Sequence, residues 1–255
     1  VGSCTIVVSN AAGTKFNSND YTITYNNGTL TVDPAPLTIT ADDGSKTYGD
    51  GYFTPSTATF ESGRTEFTPS GLKNSQTIGS VTLTATCAPA SAHRGSGSCS
   101  IVPSAATGGT FTASNYSISY SNGTLTVNKA SLTITANDLS KTYGNTLNFA
   151  GTEFNAATLK NSDSISSVTL TSTGAVNTAD VGNYSIVPSS AVAAEGTELN
   201  DYDISYVNGQ LTVNHRPITV TAVEDTKVYD GTTDSNGTPE ISGDVIAPNG
   251  DEAST

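Results

Sequence analysis

Residues 115–127 read NYSISYSNGTLTV, and this stretch decides the fold. It has two further copies, DYTITYNNGTLTV at residues 20–32 and DYDISYVNGQLTV at residues 201–213. In each copy, apolar side chains alternate with polar ones on both sides of an Asn-Gly dipeptide. Alternation with period two is the pattern of a β-strand with one buried face.

The Asn-Gly dipeptide predicts how the two strands of each copy are joined. Asn-Gly favours a two-residue turn in which both residues have positive φ, and such turns close β-hairpins. A hairpin at Asn122-Gly123 would place Tyr120 opposite Leu125 and Ile118 opposite Val127, with all four on one face. We therefore expect a hairpin in every copy.

A second motif recurs with the same spacing and divides the chain. PLTITADDGSKTYGD at residues 36–50 matches residues 131–145 and 217–231. The two motifs repeat at intervals of 95 and then 86 residues, measured from Tyr25 to Tyr120 to Tyr206 and from Tyr48 to Tyr143 to Tyr229. We expect two complete units and two partial ones, with both chain ends lying inside a longer protein. The boundaries are 1–33 (C-terminal part of a repeat), 34–128 and 129–214 (complete repeats) and 215–255 (N-terminal part of a further repeat).

Each complete unit contains six or seven short alternating segments in about 90 residues. This spacing predicts all-β architecture, as small antiparallel β-sandwiches of the immunoglobulin-like kind. The alternative is a β-grasp-like unit with one short helix, near residues 72–78 or 159–165. Junctions of about four residues with prolines indicate repeats arranged end to end.

Charge and composition exclude several partners. The chain has 10 basic and 23 acidic residues, so its net charge is −13. An acidic chain is a poor ligand for the phosphates of nucleic acid or for an anionic membrane. No run of 18 apolar residues is present, so no membrane insertion is expected in this segment.

The cysteines predict one disulfide. Cys87 and Cys99 flank an eleven-residue loop between two strands, and alignment of the repeats places Gly174 and Tyr184 at the same positions. A disulfide in one repeat and a small–large pair in the next is what two facing positions would show, and it implies an oxidising compartment. Cys4 corresponds to Cys99, so its partner is expected upstream of Val1. Three free buried thiols are the alternative.

Acidic side chains recur after the first strand of each unit and are weak metal candidates. Calcium takes oxygen ligands, so it is the one candidate cofactor, although no calcium-loop motif is present. Turn formation is the alternative role. The residues are Asp42, Asp43, Asp138, Glu224 and Asp225.

Recurring lysines precede a tyrosine in the second motif, at Lys46, Lys141 and Lys227. They could form isopeptide crosslinks, or they could simply be exposed side chains beside a core tyrosine. His93 and His215 lie in loops, and no catalytic motif accompanies them. We therefore expect no enzyme activity.

These motifs together resemble the MBG-type repeats of large bacterial surface and secreted adhesins. The resemblance rests on Tyr-Gly-Asp or Tyr-Gly-Asn after the first strand, on Leu-Lys-Asn-Ser at residues 72–75 and 159–162, and on NYSISYSNGTLTV. The last unit, with Lys-Val-Tyr-Asp-Gly at residues 227–231, is similar to the related YDG type. The resemblance implies an exported, multi-repeat bacterial adhesin on the cell surface or in a secreted matrix, and it brings no catalytic residues.

Two functions remain open from the sequence. The first is a structural stalk or filament segment of an adhesin or biofilm-matrix protein, whose partners are neighbouring repeats and other copies in a filament. The second is a module that binds glycans or surface polysaccharide. Strand exchange between copies is a further alternative, but it would lack the middle strand equivalent to residues 81–87.

Overall fold

The computed structural model describes residues 1–52, 57–61, 66–95 and 97–243. Within these residues the protein is all-β, as predicted, and contains no α-helix. The helical segment of the β-grasp alternative is therefore absent from residues 72–78 and 159–165. Four single turns of 3₁₀ helix are present, at Ser18–Asp20, Ala113–Asn115, Thr173–Ala175 and Leu199–Asp201.

The chain divides into two compact units, Val1–Asn128 and Lys129–Thr255. The first unit begins with a two-stranded antiparallel sheet of β1 (Gly2–Ile6) and β2 (Gly28–Val32). In this sheet Cys4 lies opposite Leu30.

The rest of the first unit is a complete repeat of two sheets. One sheet has three strands in the order β6-β3-β9, and the other has five in the order β4-β10-β8-β7-β5. The strands are β3 (Ala35–Ala41), β4 (Gly44–Thr47), β5 (Thr57–Glu61), β6 (Phe67–Ser70), β7 (Ile78–Thr84), β8 (Ser98–Gly109), β9 (Tyr116–Ser121) and β10 (Gly123–Asn128).

The second unit repeats this topology with one strand fewer. Its sheets have the orders β13-β11-β16 and β12-β17-β15-β14. The strands are β11 (Ala130–Ala136), β12 (Leu139–Thr142), β13 (Phe154–Ala157), β14 (Ile165–Thr171), β15 (Gly182–Ala193), β16 (Tyr202–Val207) and β17 (Gly209–Asn214). The unit continues into an antiparallel pair, β18 (Thr219–Thr221) and β19 (Glu240–Ser242).

The predicted Asn-Gly hairpin is wrong in all three copies. β9 pairs with β3, whereas β10 pairs with β8 and β4, so the strands on either side of Asn122-Gly123 lie in different sheets. Gly123, Gly209 and Gly28 are also not among the glycines with positive φ. The chain therefore crosses from one sheet to the other at the Asn-Gly dipeptide and does not reverse there.

At the start of each repeat the chain also crosses from one sheet to the other, next to the crossing at the Asn-Gly dipeptide. β3 runs parallel to β9 in the three-stranded sheet, and β4 runs parallel to β10 in the five-stranded sheet. The second repeat has the same two parallel pairs, β11 with β16 and β12 with β17. The predicted antiparallel β-sandwich therefore also contains parallel pairs, because the first and last strands run side by side in the same direction.

The buried residues of both sheets form the core. Leu37 and Ile39 of β3 and Leu125 and Val127 of β10 are all almost completely buried. The alternation in the sequence therefore identified the buried face correctly, although it could not identify the partner strand. The same residues of the second repeat are equally buried, namely Leu132, Ile134, Leu211 and Val213.

Candidate functional site

Two backbone segments lie close together where the first and last strands of each repeat cross. A Cβ atom on Gly123 would lie 2.5 Å from the carbonyl oxygen of Ala41 and 2.6 Å from that of Asp42. A Cβ atom on Gly209 would lie 2.5 Å from the carbonyl oxygen of Ala136. Glycine is required here because two backbones approach each other closely, which is its second common use besides positive φ.

Two of the acidic metal candidates stabilise this crossing. Asp43 Oδ1 accepts a hydrogen bond from the backbone N–H of Thr124 at 2.7 Å. Asp138 Oδ1 accepts one from the backbone N–H of Gln210, also at 2.7 Å. Asp43 therefore ties the start of β10 to the link between β3 and β4. Asp138 ties the start of β17 to the link between β11 and β12 in the same way.

The remaining acidic candidates lie in other surroundings. Asp42 accepts a hydrogen bond from the hydroxyl of Thr68 at 3.0 Å. Asp225 accepts one from Ser235 at 2.7 Å and one from the N–H of Asn236 at 2.9 Å, and these bonds lower the pKa of the Asp225 carboxyl. Glu224 is exposed. Calcium binding by any of these residues stays a prediction.

The predicted disulfide between Cys87 and Cys99 is present. The S–S distance is 2.10 Å and the Cα atoms lie 6.0 Å apart. Cys4 is an exposed free cysteine. It lies opposite Leu30 in the same way that Cys99 lies opposite Leu125, which agrees with the alignment of the repeats.

The second repeat fills the disulfide position with a glycine and an aromatic ring. Tyr184 lies opposite Leu211, the register position of Cys99. A Cβ atom on Gly174 would lie 2.5 Å from the Tyr184 ring, so the two residues face each other as the alignment predicted. The Tyr184 hydroxyl donates to the carbonyl of Asp180 at 2.9 Å, which fixes the ring.

The recurring lysines of the complete repeats are buried, and the interpretation of them as exposed side chains is wrong. Lys46 and Lys141 are 6% and 8% exposed. Lys46 Nζ donates to the carbonyl oxygens of Asp50, at 3.2 Å, and of Pro89. Backbone carbonyls are hydrogen-bond acceptors and not the side-chain amide or carboxyl that an isopeptide crosslink needs.

Lys141 has equivalent partners in the second repeat. Its Nζ donates to the carbonyl oxygens of Asn145, at 2.9 Å, and of Val176. In the first repeat the ammonium group thus joins β4 to the segment that follows Cys87. In the second it joins β12 to the segment that follows Gly174. Lys227 differs, because it forms an ion pair of 3.1 Å with Asp230 and its side chain is 28% exposed.

Burial of Lys141 predicts a pH dependence of stability in the second repeat. Burial lowers the pKa of the Lys141 ammonium from its ordinary value of 10.5. Between the lowered folded pKa and 10.5, the unfolded chain binds more protons than the folded one, so the free energy of unfolding rises with pH.

We expect this rise in the wild-type protein and not in Lys141→Met, which keeps the apolar stem but cannot titrate. Urea unfolding, followed through NMR signals of the second repeat at several alkaline pH values, measures the difference. A difference in stability between the two proteins that does not change with pH would contradict the prediction.

Tyr116 and Tyr202 anchor a turn in each repeat through hydrogen bonds of their hydroxyl groups, a role that was not predicted from the sequence. The Tyr202 hydroxyl donates to Asp163 Oδ2 at 2.6 Å and accepts from the N–H of Lys160 at 2.9 Å. Tyr116 makes the matching bonds to Gln76 and Lys73. The Leu-Lys-Asn-Ser segment is thus a turn anchored on a buried tyrosine, and the nearly constant spacing between Lys and Tyr was the available signal.

A second pair of tyrosines stabilises the bend in the longest strands. Ala105 and Ser190 have positive φ, of 50° each. The next N–H group in each strand donates to a tyrosine hydroxyl, at 3.0 Å for Tyr120 and 2.9 Å for Tyr206. These tyrosines are partly exposed, so they are not the core residues that the hairpin interpretation predicted.

Two open depressions lie in the second repeat, and Asn183, Tyr184 and Ser185 line both of them. Their volumes are about 610 and 320 Å³. The larger is lined by Thr171, Ser172, Thr173, Asn183, Tyr184, Ser185 and Val187. The smaller is lined by Asp138, Asn183, Tyr184, Ser185, Asn208, Gly209 and Gln210.

Among the described residues, no helix has the length and apolar character needed to cross a membrane.

Comparison with curated proteins finds no match. Comparison with protein families finds the MBG domain (YGX type), which matches residues 37–126 and 132–212 and so covers both complete repeats. The similarity of residues 215–255 to the YDG type stays a prediction. The tyrosine and glycine motifs, the two complete repeats and this match together show that the chain belongs to the MBG domain (YGX type) family.

Proposed function

We propose that this chain is a structural segment, a stalk or filament portion, of an extracellular bacterial adhesin or biofilm-matrix protein, and that it has no catalytic role. The family match supports a repeat module of a surface protein. The observation that carries the finer proposal is the parallel pairing of the first and last strands in each repeat.

Parallel terminal strands make a repeat resistant to pulling along the chain. In the first repeat the chain enters at Ala35, opposite Tyr116, and leaves at Asn128, opposite Thr47. Because β3 and β4 run in the same direction as β9 and β10, the entry and exit points lie at opposite ends of the strands. Tension between them slides the paired strands past each other, so the hydrogen bonds of the ladder are loaded together.

Further bonds extend this ladder beyond the strands. The N–H of Tyr48 donates to the carbonyl of Asn128 at 2.9 Å, and the N–H of Tyr143 donates to that of Asn214 at 2.9 Å. The Asp43 and Asp138 carboxylates brace the other end of the same ladders. A segment that transmits tension between a cell surface and a distant adhesive tip needs this property.

Single-molecule force spectroscopy on the whole chain tests the proposal. Pulled from its two ends, the protein is expected to unfold in two high-force events, one for each complete repeat. Handles at residues 166 and 192 are the matched control, because they load the antiparallel pair β14 and β15 at one end and open it one bond at a time. Equal unfolding forces in the two geometries would contradict the proposal.

The disulfide identifies which event belongs to the first repeat. Cys87 and Cys99 are 12 residues apart, so reduction should lengthen that event by about 4 nm, at roughly 3.5 Å per extended residue. The event of the second repeat should keep its length.

Glycan binding is a second candidate, and the depressions beside Ser185 favour it. Most of the residues that line them carry a hydroxyl or amide group that can hydrogen-bond a neutral saccharide. A glycan array with the whole chain tests it. A saccharide that is retained by the wild type and lost in Asn183→Ala would favour this function over the stalk.

A further inference from the structure

The two depressions of the second repeat adjoin each other. Asn183, Tyr184 and Ser185 line both of them, so a group bound in one lies next to a group bound in the other. Their volumes, about 610 and 320 Å³, are within the usual range for pockets that bind small molecules. A linear ligand of more than one unit can therefore occupy both.

The smaller depression contains polar side chains that the protein itself does not use. Within the part of the chain that the structure describes, no group forms a hydrogen bond with the side chains of Ser185, Asn208 and Gln210. Asp138 uses Oδ1 to accept from the N–H of Gln210 at 2.7 Å, and its Oδ2 remains an acceptor. A side-chain amide both donates and accepts, as a sugar hydroxyl does, so these groups can bond several hydroxyls of one sugar.

The larger depression combines hydroxyl groups with an apolar side chain. Residues 171–173, which are Thr-Ser-Thr, line it together with Val187, which is 43% exposed. The ring of a sugar carries hydroxyls at its rim and C–H groups on its faces. A sugar in this depression can therefore bond the hydroxyl groups and remove the valine from water at the same time.

The charge of the site favours a neutral ligand over an anionic one. Among the residues that line the two depressions, only Asp138 is charged, and it is acidic. The whole chain has a net charge of −13. A polysaccharide that carries carboxylates or phosphates would therefore be repelled.

The same positions in the first repeat carry shorter side chains. The strand register places Asn183 where the first repeat has Ser98, and Gln210 where it has Thr124. The N–H of Thr124 makes the same bond to a carboxylate that the N–H of Gln210 makes. The crossing is therefore retained in the first repeat, whereas at these two positions only the second repeat has amide groups.

We propose that the second repeat binds a neutral linear oligosaccharide across its two depressions, and that Asn183 and Gln210 make it, and not the first repeat, the binding repeat. One sugar bonds the two amides and Asp138 in the smaller depression. The next sugar in the chain covers Val187 in the larger one.

This inference rests on glycan binding, the second candidate function, and adds to it the site, the class of saccharide and the repeat that binds. It does not depend on the stalk. Its experiments measure binding to the unloaded protein, whereas the stalk is tested by unfolding force, so the failure of one is distinguishable from the failure of the other.

The first experiment titrates the whole chain with neutral glucan, mannan and chitin oligosaccharides, from monosaccharide to hexasaccharide, and follows backbone amide signals by NMR. We expect the signals of residues 171–173, 183–187 and 208–210 to move. Disaccharides and longer chains of the bound sugar should bind at least tenfold more tightly than the monosaccharide, because they occupy both depressions. Alginate oligosaccharides, which carry a carboxylate on every sugar, should bind more weakly than the neutral chains.

The second experiment replaces the two amides by the side chains of the first repeat. Asn183→Ser with Gln210→Thr should weaken binding of the best oligosaccharide at least tenfold. The unfolding midpoint should change little, because the first repeat folds with these side chains at the same positions. Asn155→Ser is the control, since Asn155 is an exposed asparagine of β13 that lines neither depression and should leave the affinity unchanged.

Several results would overturn the inference, and they show how far the failure extends. Signal changes confined to the first repeat, or equal affinity in the wild type and the double variant, would leave glycan binding in place but at another site. Equal affinity for monosaccharide and oligosaccharide would contradict a ligand that spans both depressions, and tighter binding of alginate would contradict a neutral one. Binding of none of these saccharides would overturn the glycan-binding candidate as well and leave the stalk unaffected.

Discussion

Gly209→Ala is expected to lower the free energy of unfolding of the second repeat by about 3 kcal/mol, the upper end of the usual cost of overpacking. The added methyl group would lie 2.5 Å from the carbonyl oxygen of Ala136 and 2.7 Å from that of Asn137. Both are backbone atoms, at the end of β11 and in the link to β12, so neither can move without disturbing the pairing of β12 with β17. Gly123→Ala should have the same effect in the first repeat, where the carbonyls are those of Ala41 and Asp42.

Gly28→Ala is the matched control, because Gly28 has the same Asn-Gly-Thr-Leu-Thr-Val context as Gly123. A Cβ atom there would have its nearest contact at 3.6 Å, from the side chain of Ile6, which is an ordinary van der Waals distance. Denaturant unfolding at low protein concentration, followed by amide signals of each repeat, measures the three variants. A hairpin turn would make all three substitutions equally harmful. Equal losses in the three variants would therefore refute the crossing as the reason for glycine.

Removal of the disulfide is expected to destabilise the first repeat by about 3 kcal/mol. Cys87 and Cys99 are 12 residues apart. In the chain-entropy model, closing a loop of that length lowers the entropy of the unfolded chain and so stabilises the folded repeat by about 3 kcal/mol. Reduction, or Cys87→Ser with Cys99→Ser, should lower the unfolding midpoint of the first repeat. The second repeat, which has no cysteine, is the internal control.

A second variant separates the covalent bond from the packing it replaces. Cys87→Gly with Cys99→Tyr introduces the pair found at Gly174 and Tyr184 in the second repeat. We expect this variant to recover part of the stability lost in the double serine variant, because the tyrosine ring would fill the space that the serines leave. If the double serine variant unfolds at the same denaturant concentration as the wild type, the stabilising role of the disulfide is wrong.

Features that depend on neighbouring residues, or on comparison between the repeats, could be predicted from the amino-acid sequence. Alternation of apolar and polar residues identified the buried positions, such as Leu125 and Val127, because a strand exposes alternate residues to the core whatever its partner is. The recurrence of motifs at two matching intervals identified the repeats. Facing positions were recognised because Cys87 and Cys99 in one repeat correspond to Gly174 and Tyr184 in the other.

The Asn-Gly dipeptide shows where local reasoning failed. Its usual meaning is a turn, and the apolar pairs around it were compatible with one. The close approach of Ala41 and Asp42, about 80 residues earlier in the chain, is what requires Gly123. The lysines were misread for the same reason, since the carbonyl of Pro89 that accepts from Lys46 lies 43 residues away.

The amino-acid sequence by itself determined the all-β class, the buried face of β3, β10, β11 and β17, the repeat spacing, the cysteine pair and the family. All of these depend on the order of residues along one strand or on comparison between copies. Only the tertiary structure decided which strands pair, that the first and last strands run parallel, and that lysines are buried among backbone carbonyls. The physical reason is that pairing and burial depend on groups far apart in the chain, and strand alternation carries no information about which distant backbone supplies the hydrogen bonds.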